Sequence, residues 1–96
     1  MYDNLKKEVV TVLTHLGEIV GRLDEVTTNT VTIKDPRLFV PSQEGSGGGF
    51  APGVSMTGEL EPTSITLQLS AVVGVLESHE DVRKGWMQQT SGLVLQ

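Results

Sequence analysis

Residues 9–34 read VVTVLTHLGEIVGRLDEVTTNTVTIK, three extended runs separated by two short turns. The first run covers Val9 to Leu13. Thr14, His15, Leu16 and Gly17 form the first turn, in which glycine can take a positive φ that other residues resist. Ile19 to Val26 is the second run. Thr27, Thr28 and Asn29 make a tight turn, because asparagine tolerates the left-handed region and bonds its own backbone. The third run, Thr30 to Lys34, alternates cleanly: Val31 and Ile33 point one way, Thr30, Thr32 and Lys34 the other. Three strands joined by turns this short form an antiparallel meander.

Working outward, Asp35-Pro36 is expected to stop the third strand, since proline lacks a ladder donor. A short apolar piece, 37–40, follows. Residues 41–53 are rich in Gly, Ser and Pro and read as a mobile, linker-like insertion. Its glycines are not a phosphate loop, because no Gly-Lys-Ser/Thr follows and no helix begins there. Residues 54–61 read as a strand ended by Pro62, with Glu59 and Glu61 sharing a face. Ile65, Leu67 and Leu69 alternate with polar residues in the next strand, Ser70-Ala71 marks a bend, and 72–76 is a near-continuous apolar strand with both faces expected to be covered. Ser78 reads as the cap of a C-terminal helix over 78–91 that Gly92 ends. Val82 and Trp86 share its buried face, which makes Trp86 a core residue before it is a platform for stacking a base. Leu93, Val94 and Leu95 form an apolar tail expected to dock on its own or a neighbouring subunit. Before the first strand, Tyr2, Leu5 and Val9 have helical spacing, so 2–8 is a short helix candidate.

The chain is therefore expected to be one mainly β domain spanning 1–96: a meander over 9–40, the Gly-rich loop at 41–53, further strands within 54–77, and a helix over 78–91. Ninety-six residues permit one small core. Val and Thr are abundant, aromatics make up only 4% of the chain, and cysteine is lacking, so the core is aliphatic and no disulfide holds it. A net charge of −5 counts against a protein that simply coats nucleic acid. No apolar run approaches the length of a membrane span, and Met1-Tyr2-Asp3-Asn4 does not open a signal peptide. A soluble cytoplasmic protein is the expectation.

Catalytic chemistry is not legible. His15 and His79 fall in unrelated elements, no His/Asp/Glu cluster has metal-ligand spacing, and no serine sits in a nucleophile elbow. Glu59 and Glu61 read as a solvated strand face. The expectation is a protein that is not an enzyme and carries no cofactor.

The meander resembles the first sequence motif of the Sm and Sm-like proteins. That motif has an alternating strand, here Val10-Thr11-Val12-Leu13, then a glycine turn, Leu16-Gly17-Glu18. A strand carrying Gly-x-Leu follows, Val20-Gly21-Arg22-Leu23, then a turn ending in Asn29 and a strand, Val31-Thr32-Ile33. The likeness covers 26 of the 96 residues. The second motif of the family, an Ile-Arg-Gly-like bend between strands four and five, is represented by Leu67-Gln68-Leu69-Ser70-Ala71-Val72-Val73, which has neither Arg nor Gly at the bend. The chain is thus similar to a divergent, phage-type member, which would act in the host cytoplasm.

The resemblance implies a strongly bent, five-stranded, barrel-like antiparallel sheet of the SH3 type that assembles into a homo-oligomeric ring of about five to seven subunits. The fourth and fifth strands of neighbours would pair, which makes Leu67, Leu69, Val72, Val73 and Val75 the interface candidates. It also implies single-stranded RNA at the pore. Asn29 is the residue that carries over directly, with Thr27 at the family's acidic position and Gln68 near its arginine. Lys34 and Arg37, flanking the end of the third strand, are the candidate cations, while Lys6-Lys7 and Arg83-Lys84 read as solubilising charges. Two readings follow: a non-catalytic RNA-binding ring or scaffold, and a structural or protein-interaction ring that has lost the RNA pocket.

Overall fold

The computed structural model of the chain describes residues 2–42, 48–55 and 57–90. A 3₁₀ turn, Asp3–Leu5, precedes strands β1 (Val9–Thr14), β2 (Gly17–Val26), β3 (Thr30–Pro41), β4 (Gly48–Phe50) and β5 (Ser64–Gln68). A second 3₁₀ turn, Leu69–Ala71, links β5 to β6 (Val72–Glu77), and the helix α1 (Glu80–Thr90) follows. The protein is mainly β, as its composition implies. All pairings are antiparallel, in the order β4-β3-β2-β1-β6 with β5 also paired to β3.

The sheet curls around one apolar cluster. Val10 and Val12 of β1, Ile19 and Leu23 of β2, and Val31 and Ile33 of β3 are buried together. Ile65 and Leu67 pack on this cluster from β5, and Val72 and Val75 from β6. β5 and β6 stand at opposite ends of the strand order, so both can reach one core only if the sheet is strongly curved. It is not closed: β5 bonds to β3, β6 bonds to β1, and no ladder joins β5 to β6.

Curvature begins where β2 crosses β3. Val20 pairs with Arg37 and Arg22 with Lys34, so Asp35 and Pro36 together oppose Gly21 in a β-bulge. Asp35 adopts a left-handed φ of 49°, which a short polar side chain tolerates better than most. The Asp35 amide donates to Thr63 O (2.9 Å). Pro36, which has no amide to donate, occupies the position where the ladder is already interrupted. β3 therefore does not stop at Asp35-Pro36, as the sequence suggests, but bends there and runs on to Pro41. A second shift, between Leu23 and Glu25 on β2, restores the register before the turn to β3.

The opposite face of β1 and β2 is covered by α1. Trp86 is buried against Val9 and Val20, with Phe50 and Val82 beside it. Its indole N–H donates to Asp35 O (2.8 Å), tying the helix to the bulge. The helix is capped by His79, whose Nδ1 accepts from the Asp81 amide (3.1 Å), and not by Ser78. The Ser78 hydroxyl is instead hydrogen-bonded to that of Thr11 (2.8 Å) at the end of β6.

Three further expectations change. The described residues of 54–61 form no strand; the short strand lies earlier, at Gly48–Phe50, inside the stretch that reads as an insertion, and pairs with Phe39–Pro41. Strand β6 is not covered on both faces, since Val73 is 64% exposed and Leu76 49%. The segment 2–8 holds a single 3₁₀ turn, although Tyr2 and Leu5 do pack on the core. The expected end of the helix at Gly92 and the tail Leu93, Val94 and Leu95 lie outside the described residues.

Candidate functional site

The turn between β2 and β3 is built from hydroxyls. Thr27 Oγ1 accepts from the amides of Asn29 (3.2 Å) and Thr30 (3.0 Å), and it is hydrogen-bonded to the Thr30 hydroxyl (2.7 Å). Thr27 thus plays the part an Asx residue plays in a tight turn. The Asn29 carbonyl accepts from the Leu69 amide (2.8 Å), and Thr30 pairs with Gln68. The β2–β3 turn and the β5–β6 bend therefore meet at one corner of the molecule. Thr27, Asn29 and Gln68 are brought together there, all exposed. The neighbourhood is neutral to acidic: a shallow depression beside it is lined by Asp3, Val26, Thr27 and Thr28, and Asp24 and Glu25 are exposed on the adjoining part of β2.

The two candidate cations are not at that corner. Lys34 is exposed but four residues up β3 from Thr30, about 13 Å at the rise of a strand. Arg37 lies beyond the bulge and is only 5% exposed. One of its terminal nitrogens donates to Pro36 O (2.8 Å), and its Nε has no partner. A buried guanidinium offers nothing to a phosphate, so the expectation that Arg37 contacts RNA is corrected. Arg37 reads from sequence as a surface cation because a proline at 36 is expected to end the strand; the continuing strand carries it inside.

The expected interface residues split into two groups. Leu67, Leu69, Val72 and Val75 are half-buried in the protomer's own core, while Val73 is left exposed. Among the described residues, β5 and β6 are each paired along one edge only.

One cationic grouping was not legible as a unit. Arg22, Arg83 and Lys84 line a shallow cleft of about 390 Å³ together with Glu8, Val9 and Met87. The guanidinium of Arg22 lies 5.5 Å from the centroid of the Trp86 ring and donates to Lys7 O (2.8 Å). Only the register of β2, and the packing of α1 over it, bring these residues together.

An apolar cleft of about 280 Å³ lies on another side, lined by Ile19, Leu38, Val54, Ile65 and Leu67 among others, next to Leu16, which is 90% exposed. Glu59 and Glu61 sit in the irregular segment before β5 and not on a common strand face. His15 occupies the β1–β2 turn. Among the described residues no group of three or more His, Asp or Glu is placed to hold a metal, and no helix is long and apolar enough to cross a membrane. Compared with known protein families and with curated proteins, the chain matches none.

Proposed function

We propose that the chain is an Sm-like subunit that closes into a homo-oligomeric ring of about five to seven copies and acts, without catalysis, as a scaffold for single-stranded RNA. The observation that carries this reading is the pair of open edges on a curled sheet. β5 and β6 are consecutive, joined by one 3₁₀ turn, yet they stand at opposite ends of the strand order. An edge of five residues and an edge of six residues are thus available on each subunit. Exposed edges invite pairing with another chain. A head-to-tail pairing of two different edges makes a heterologous interface, which closes into a ring when the rotation per subunit permits. The exposed Val73, beside that edge, is the apolar contact such an interface would cover. RNA would meet the corner where Asn29 and Gln68 offer amide donors and acceptors of the kind that read unstacked bases.

The alternative is a structural or protein-interaction ring without the RNA pocket. The corner's lack of cations favours it, as do the exposed Leu16 and the apolar cleft beside it. Sedimentation velocity with and without a fluorescent oligouridine, at low and moderate salt, separates the two. One sharp oligomer carrying the dye, and releasing it as salt rises, is the expected result. One sharp oligomer with the dye sedimenting freely selects the structural ring. A monomer overturns both.

A further inference from the structure

The corner holding Asn29 is poor in positive charge, but another part of the surface is not. Of the seven Lys and Arg residues, Arg37 is buried, while Arg22, Arg83 and Lys84 line one cleft. Lys34 faces Arg22 directly across the β2–β3 ladder, and the carbonyl of Lys7 fixes the Arg22 guanidinium. We propose that this cleft, between the start of β1, Arg22 of β2 and the outer turns of α1, binds successive phosphates of a single-stranded nucleic acid by charge, without reading its bases.

An anion would offset the like charges gathered here. Like charges directly opposite on neighbouring strands repel, and Arg22 and Lys34 are such a pair. Arg83 and Lys84 add two cations to the cleft that Arg22 lines. Within the cleft, Glu8 is the sole carboxylate. Outside it, Glu80 approaches Lys84 at 3.5 Å, but both side chains are mostly exposed, and such a pair holds its partner weakly.

Arg22 is also pre-positioned. Its guanidinium is ordered against the Trp86 ring and anchored by one N–H on Lys7 O, while the group carries five N–H donors in all. Ordering it for a phosphate therefore costs less side-chain entropy than recruiting a free arginine. Arg22, Arg83 and Lys84 line the cleft from a strand and a helix, and Lys34 stands opposite Arg22 on the next strand. With adjacent strands about 4.8 Å apart, that span suits several phosphates in series better than one small anion. The net charge of −5 opposes a polyanion at long range, but salt confines that repulsion to about 8–10 Å, so a local patch still acts at contact.

The ligand class is shared with the RNA reading above, but the surface is different, and the test keeps the two apart. Anisotropy of labelled oligouridine and oligodeoxythymidine is measured on the full chain over a salt series, with inorganic polyphosphate as competitor. The variants are Arg83→Ala with Lys84→Ala, and separately Asn29→Ala. Alanine sustains a helix, so the double variant should keep the melting temperature and oligomeric state of the parent. The expected result is similar affinity for the two oligonucleotides, displacement by polyphosphate, and roughly tenfold weaker binding in the double variant. Its log–log salt slope should be shallower by about 1.4, the share of two phosphate contacts on a single strand. Lys34→Ala should weaken binding about threefold, in line with one exposed contact. Unchanged binding in the folded double variant overturns the proposal, as does failure of polyphosphate to compete or failure of the parent to bind either oligonucleotide at low salt. Loss in Asn29→Ala alone overturns this site and leaves the corner; loss in the double variant alone keeps this site and removes the corner.

Discussion

A methyl group at Gly21 would collide with Ile33 Cγ2 and come within 2.7 Å of the Lys34 carbonyl. The bulge at Asp35-Pro36 presses β3 against β2 at this point, so neither neighbour can retreat without undoing the bend. Gly21→Ala is expected to destabilise the protein by about 1–3 kcal/mol, the usual cost of overpacking, read as a lower urea midpoint with an unchanged slope. Leu23, fully buried two residues on, should cost about 2–5 kcal/mol on truncation to alanine. Arg37 argues the other way. Its charge is buried, its Nε is unpaired, and a terminal nitrogen donates to the carbonyl of the preceding residue. Replacing a poorly paired buried charge with an apolar residue of similar length is often neutral or stabilising. Arg37→Met should therefore leave the urea midpoint unchanged or raise it. A clear loss of stability would show that the guanidinium has a role these contacts do not reveal. Val31 and Ile33 were legible from alternation alone. Arg37 was not, because its burial depends on a strand continuing past a proline.

At the level of elements, the meander β1–β3 followed from short-range chemistry: glycine at one turn, a Thr/Asn cluster at the next, and period-two patterning between them. The same local rules misplaced what came after. Pro36 ends a regular strand but is admitted at a bulge, and the bulge exists because Gly21, far away in sequence, leaves room for it. β4 is only three residues long and glycine-rich, so it has no pattern of its own and is defined by its partner, Phe39–Pro41. Ser78 looks like a cap by residue type, yet tertiary contact with Thr11 claims its hydroxyl and passes the role to His79. The RNA-candidate residues fared similarly: Thr27 and Asn29 share a turn because they are adjacent in sequence, whereas the grouping of Arg22 with Arg83 and Lys84 needs the β2–β3 register and the docking of α1. For the edge strands, Val73→Lys on β6 tests the ring. The side chain is already exposed in the protomer, so the subunit should stay folded, with its far-ultraviolet dichroism unchanged, while the sedimenting species falls toward the monomer.

For the whole molecule, nine apolar residues make up the buried core among the described residues, eight of them aliphatic and the ninth Trp86. A domain of this size is marginal alone, and covering two open edges in an assembly would add to its stability by mass action. The melting temperature of the parent is therefore expected to rise with protein concentration, and that of Val73→Lys to be lower and independent of it. Concentration-independent melting of the parent over a hundredfold range would count against assembly. The charge distribution has a matching consequence: acidic overall but with Arg22, Arg83 and Lys84 lining one cleft, the molecule should bind polyanions there and lose them readily as salt increases.

The docking of α1 also supplies a built-in optical reporter. The chain has one tryptophan, and it is shielded between the helix and β1–β2, with its N–H given to Asp35 and a guanidinium over its ring. Its emission should be blue-shifted and poorly quenched by iodide while the helix is seated. It should move to the red when the helix lifts, even if the sheet stays intact, so a fluorescence transition that precedes the loss of β-sheet dichroism would time the two events separately. An anion settling beside Arg22 would perturb the same indole, which makes unlabelled protein its own titration signal.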